Sequence, residues 1–126
     1  MKPEFKNMTA WNQAELLMQP AFLRVIDNIR KQLETSDWKG TYQDIQSPIP
    51  GYQLCLQRQN ATVNVDIWEL CYQVCFRNYQ LNSTETESQT VEIDTSLLDE
   101  TGDVDWQCLE AKTRQLVQQV FANLPL

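Results

Sequence analysis

The chain of 126 residues contains no histidine. That absence excludes histidine-based acid–base catalysis, the serine and cysteine nucleophile systems that rely on an imidazole, and imidazole metal ligands. Glycine is scarce, with three residues and none grouped, which excludes a glycine-rich phosphate loop. Long apolar runs are missing too. The longest are two or three residues, far short of the roughly 20 needed to span a bilayer. The opening "MKPEFKNMTAWNQAE" lacks the apolar centre of a secretory signal. The expectation is a cytoplasmic protein with reduced cysteines, in which the Asn-x-Ser/Thr sequons carry no glycan.

Basic charge is absent from one stretch. Residues 1–78 balance eight basic against eight acidic side chains, whereas 79–111 hold nine acidic and no basic ones, so the net charge of −7 arises there. An acidic chain repels phosphate, which argues against nucleic acid and anionic membranes as partners. A protein partner, and a basic one, is compatible.

What is present is enough apolar material for one core. Hydrophobic residues make up 42%, with four each of Trp, Tyr and Phe, and the length suits a single domain over 1–126 with a flexible tail at 1–8. "NQAELLMQPAFLRVIDNIRKQLE" predicts a helix. Asn12 and Glu15 fit a capping box, and Leu16, Leu17, Phe22, Val25, Ile26, Ile29 and Leu33 recur at helical spacing. Pro20 predicts a bend or a break. "TYQDIQ" reads as a short strand, "SPIPG" as a turn, and "YQLCLQ" and "TVNVDI" as alternating strands joined at "RQNA".

"WELCYQVCF" (68–76) has two readings. As a strand, Trp68, Leu70, Tyr72, Val74 and Phe76 share one face; as a helix, Ile67, Leu70, Cys71, Val74 and Cys75 form a stripe. Its aromatic and β-branched content favours the strand. The apolar parity flips between Ile67 and Trp68, which calls for a bulge or a turn there, or for one of the two strands to be buried on both faces. Next, "NYQLNSTETESQ" reads as a long hairpin loop, "TVEID" as a strand, and "SLLDETG" as a loop with a helical turn. "DVDWQCLEAKTRQLVQQVFANLP" is the clearest amphipathic helix, capped by Asp103 or Asp105. The expected fold is α+β: an N-terminal helix, an antiparallel sheet of four to five strands, and a C-terminal helix packed on that sheet.

The strand reading separates Cys71 and Cys75 by about 13 Å, too far to bridge or to share a metal; a helix would bring them within one turn. Cys55 and Cys108 add no metal-ligand spacing, so no metal or other cofactor is expected. Asp66 with Glu69, and Asp99 with Glu100, Asp103 and Asp105, are carboxylate clusters. "DETGDVD" fails the calcium-loop pattern, because Gly102 comes fourth from Asp99 rather than sixth.

The stretch "DTSLLDETGDVDWQCLEAKTRQLVQQVFANLP" (94–125) resembles small proteins of cyanobacteria that carry no assigned activity. The resemblance implies a bacterial cytosolic protein and brings no catalytic residues with it.

Three functions compete. The favoured one is a non-enzymatic interaction module (adaptor, small chaperone or regulatory subunit), working as a homodimer or with another protein, with Trp11, Trp38 and Trp106 as contact residues. The second is a small-molecule binder or enzyme with a pocket between sheet and helices. There Arg58, Arg77 and Tyr72 would meet, with Tyr42 and Tyr52 beside them, and Arg77 would clamp an anion. The third is a cysteine-based metal or redox protein.

Overall fold

The computed structural model describes residues 2–5, 7–46, 51–77, 79 and 88–125. The chain runs β1 (Lys2–Phe5), α1 (Met8–Glu34), β2 (Lys39–Ile45), β3 (Gly51–Arg58), β4 (Ala61–Asp66), α2 (Ile67–Cys75), β5 (Ser88–Val91), a 3-10 turn (Thr95–Leu97) and α3 (Trp106–Ala122). The fold is α+β, with the N-terminal helix, an antiparallel sheet and the C-terminal helix where the sequence places them. Among the described residues, no helix is long and apolar enough to cross a membrane.

α1 starts earlier than Asn12. The side chain of Asn7 accepts from the Ala10 amide at 2.9 Å and caps it. Residues 2–5, expected within a flexible tail, instead pair in parallel with β5. Pro20 lies inside α1 without breaking it. Ala14, Leu17, Ala21, Val25 and Ile29 are buried on both sides of the proline and hold both halves against one core. The bond Pro20 cannot make is to the carbonyl of Leu16, a residue on the solvent side where water can take its place.

β2, β3 and β4 form an antiparallel meander with Tyr42 opposite Leu54 and Leu54 opposite Val65. Opposed residues share a face, so Tyr42, Asp44, Tyr52, Leu54, Leu56, Val63 and Val65 line the inner side. Thr41, Gln43, Gln53, Cys55, Gln57, Thr62 and Asn64 line the outer, solvated side. Gly40 lets α1 close onto this sheet: a Cβ there would lie 3.0 Å from Leu33 Cδ1 and 3.1 Å from Leu54 Cδ1.

The main departure from expectation is residues 67–75, which are helical. Asp66 accepts from the Glu69 amide at 3.1 Å, so the parity flip marks the change from strand to helix rather than a bulge. Ile67, Leu70, Cys71, Val74 and Cys75 are all buried, which is the helical stripe. Among the described residues the antiparallel sheet has three strands, where four to five were expected. α2 lies against β3 and α1, and α3 packs along α1 and against α2 rather than on the sheet. The loop expected at 78–89 lies mostly outside the described residues, as do Pro48 and Pro50.

Polar pins tie α3 to the rest. Lys112 Nζ donates to Asp94 at 2.7 Å, and Asp94 also accepts from the amide and hydroxyl of Ser96. Asn28, buried on α1, donates to the Arg24 carbonyl at 2.9 Å and to Glu110 at 3.1 Å. Burial raises the Asp94 carboxyl, but donation from Lys112 and Ser96 outweighs it and leaves the pKa below the ordinary 3.8. A depressed carboxylate contributes stability above its unfolded pKa and loses it as pH falls through the folded value. Urea denaturation should therefore show stability declining below about pH 4, with a shallower decline in Asp94→Asn. Lys112→Met at neutral pH should cost about 1–3 kcal/mol, because it strips a charged donor from a mostly buried carboxylate. Pro20→Ala should raise stability by up to about 3 kcal/mol by restoring a helix-interior bond, read as a higher denaturation midpoint.

Candidate functional site

Four aromatic rings form a continuous row across the sheet and two helices. Tyr42 on β2 stacks on Tyr52 of β3, with centroids 5.4 Å apart and planes at 4°. Tyr52 meets Phe22 of α1 at 6.1 Å, and Phe22 stacks on Trp68 of α2 at 5.4 Å. Each ring is placed by its backbone: Tyr42 and Tyr52 by the strand register, Phe22 by α1, and Trp68 by the capped start of α2.

The row is partly open. Tyr42 is 36% and Trp68 37% exposed, and Phe22 and Tyr52 are half-buried. Phe22, Tyr52 and Trp68 line a groove of about 440 Å³ with Asp44, Ile45, Gln46 and Gly51. Asp44 is the one charged residue among these. Burial, with the neighbouring Tyr52, pushes the Tyr42 hydroxyl up, so that ring is a neutral phenol at physiological pH. The described lining holds no thiol, hydroxymethyl or amine nucleophile. Its chemistry is that of aromatic faces beside a carboxylate, which together attract cations.

The structure does not bring Arg58, Arg77 and Tyr72 to one place. Arg58 lies 5.0 Å above the ring of Trp38 and donates to the Pro125 carbonyl at 2.9 Å, fastening the end of the chain to β3. Arg77 donates to Thr95 Oγ1 at 2.9 Å and lies 3.8 Å from Asp94. Tyr72 stacks on Phe76 at 5.7 Å and meets Tyr79 at a tilt of 52°, 5.3 Å away. Of the expected contact tryptophans, Trp38 is buried beneath Arg58. Trp11 and Trp106 are half exposed, Trp11 donating to Glu15 at 2.9 Å and Trp106 lying 5.2 Å beneath Arg24.

Of the five residues that the pocket reading would gather, Tyr42 and Tyr52 are in ring contact and Tyr52 lines the groove; the sequence reading does not name Phe22, Trp68 or Asp44 as site residues. The signal for Trp68 was present. Asp66 and Glu69 have capping-box spacing at the parity flip, which would have started a helix there and set Trp68 next to the first residues of β3.

Cys71 and Cys75 stand one turn apart on α2, both buried as free thiols. Burial, then the charge of Asp66, pushes Cys71 up to about 12; burial, then Cys71 itself, does the same to Cys75. Among the described residues, no three acidic or thiol side chains are arranged to hold a metal ion. Asp99 spends its carboxylate on the amides of Thr101 and Asp103, at 2.8 and 3.1 Å, and Asp105 caps α3 through the Cys108 amide. Comparison with known families, with curated proteins and with solved structures finds no match to this chain.

Thiol accessibility follows from this geometry. In native buffer a disulfide reagent should label exposed Cys108 first, while Cys71 and Cys75 should react only after denaturation. Peptide mass mapping reads the order, and native labelling of Cys71 or Cys75 would refute the burial argument.

Proposed function

We propose that this protein is a non-enzymatic interaction module that receives a basic segment of a protein partner in the aromatic groove. One observation carries the reading: a half-open row of four rings lies beside the Asp44 carboxylate, which makes no ion pair among the described residues, with no positive residue in the described lining. The net charge of −7 adds long-range attraction for a basic partner. Two of the protein's own arginines already cover tryptophan rings, Arg58 over Trp38 and Arg24 over Trp106, so guanidinium on indole is a contact this fold uses internally. The lack of histidine in the sequence, and of a thiol, hydroxymethyl or amine among the described lining, supports a binding role over catalysis. The likeness of residues 94–125 to small cyanobacterial proteins carries no activity, so the reading rests on the groove.

Hexaarginine amide titrated into isotopically labelled protein should shift the Trp68 indole resonance and the amides of Tyr42, Asp44 and Tyr52. Trp68→Ala, with an unchanged circular dichroism spectrum, should weaken binding about fivefold to tenfold, the scale of one cation–aromatic contact. Shifts confined to the acidic stretch 92–105 would signal diffuse attraction and refute the groove.

A further inference from the structure

Resting on that reading, we infer that the partner segment binds as an extended strand along the free edge of β2 and seats an arginine between the Tyr42 ring and the Asp44 carboxylate. β2 is the outermost strand of its sheet, and among the described residues no strand pairs with its far side. A free edge presents unpaired amides and carbonyls, the template for strand addition. β2 is also poorly covered. Its inner face carries Tyr42 and Asp44, both exposed, whereas on β3 Leu54, opposite Tyr42, is fully buried and Tyr52, opposite Asp44, is half-buried. The inner face thus continues past its own helical cover and stops at β2.

Strand geometry fixes what an added strand would meet. Its inward side chains fall opposite those of β2, with Cβ atoms about 5 Å apart. A long side chain opposite Tyr42 or Asp44 therefore lies over the Tyr42–Tyr52 stack, within reach of the Asp44 carboxylate. Arginine fits both partners: its plane stacks on a ring while its fork pairs with the carboxylate. A second copy of this chain fits less well. It would bring another net −7 to the same edge, and β2 offers only Lys39 as a positive residue.

The test uses an alternating threonine–arginine heptapeptide against the full chain, with affinity read by fluorescence anisotropy. Two altered peptides accompany it: one methylated at alternate backbone nitrogens, the other with citrulline in place of arginine. Methylation on the pairing side removes several strand hydrogen bonds and should weaken binding by about tenfold or more. Citrulline, neutral and nearly isosteric, should weaken it by about tenfold, and Asp44→Asn should reproduce about fivefold of that loss with the parent peptide. Hydrogen exchange should slow at β2 amides in the complex.

Equal binding of both methylated and parent peptides, at a groove that still shifts with hexaarginine, would overturn strand addition and leave the basic-partner reading standing. Equal binding of the citrulline peptide would overturn the arginine seat. Binding by neither hexaarginine nor the heptapeptide would refute both readings. A stable dimer of the chain alone, with β2 amides protected in it, would give the edge to a second copy and overturn the proposal.

Discussion

The carboxylate of Asp66 accepts the Glu69 amide, and at that bond the chain turns from strand into helix. Much of the fold hangs on this change. Had the strand run on through 68–76, Trp68, Leu70, Tyr72, Val74 and Phe76 would have shared one face and left Cys71 and Cys75 on the other. As a helix, the segment buries Ile67, Leu70, Cys71, Val74 and Cys75 on one stripe against β3 and α1. It also carries Trp68 on the open flank, stacked on Phe22. One local hydrogen bond therefore decides both the composition of the core and the last ring of the aromatic row.

α1 is the element against which the others are arranged. α2 and α3 pack on it, and Gly40 lets the sheet come up to its end. The polar groups inside this arrangement are matched locally. Asn28 meets Glu110, Lys112 meets Asp94, and the hydroxyl of Thr113, buried on α3, donates to the Leu109 carbonyl at 2.7 Å. Such pairs add modest net stability, but leaving any of them unmade inside the protein is costly, so they select this packing over alternatives.

The acidic surplus and the groove belong to different parts of the molecule. Asp94, Asp99 and Asp105 are occupied as structural acceptors that order the turns before α3. Asp44 stands apart from them, on the open inner face of β2 beside the rings. A cluster of acids in the sequence thus turned out to be scaffolding, and a single acid between strand residues became the charged part of the candidate site. Number of carboxylates was a poor guide, because a carboxylate engaged by backbone amides has little left to offer a ligand.

Local patterning by itself determined a good deal. The alternation in "YQLCLQ" and "TVNVDI" placed β3 and β4, the stripe through Leu109, Thr113 and Val117 placed α3, and Asp105 capped it. Two helices enclosing antiparallel strands followed, and so did the absence of imidazole chemistry. These features rest on neighbours in sequence, and a one-dimensional reading reaches them. It did not reach the continuity of α1 through Pro20, which depends on burial of both flanking halves, or the helical state of 67–75, where two periodicities fit the same letters. Nor did it reach the union of Phe22, Tyr42, Tyr52 and Trp68. Those rings come from four elements, and only the docking of α1 and α2 on the sheet brings them into contact. Contacts between residues distant in the chain are fixed by which apolar faces bury together, and that choice is made in three dimensions.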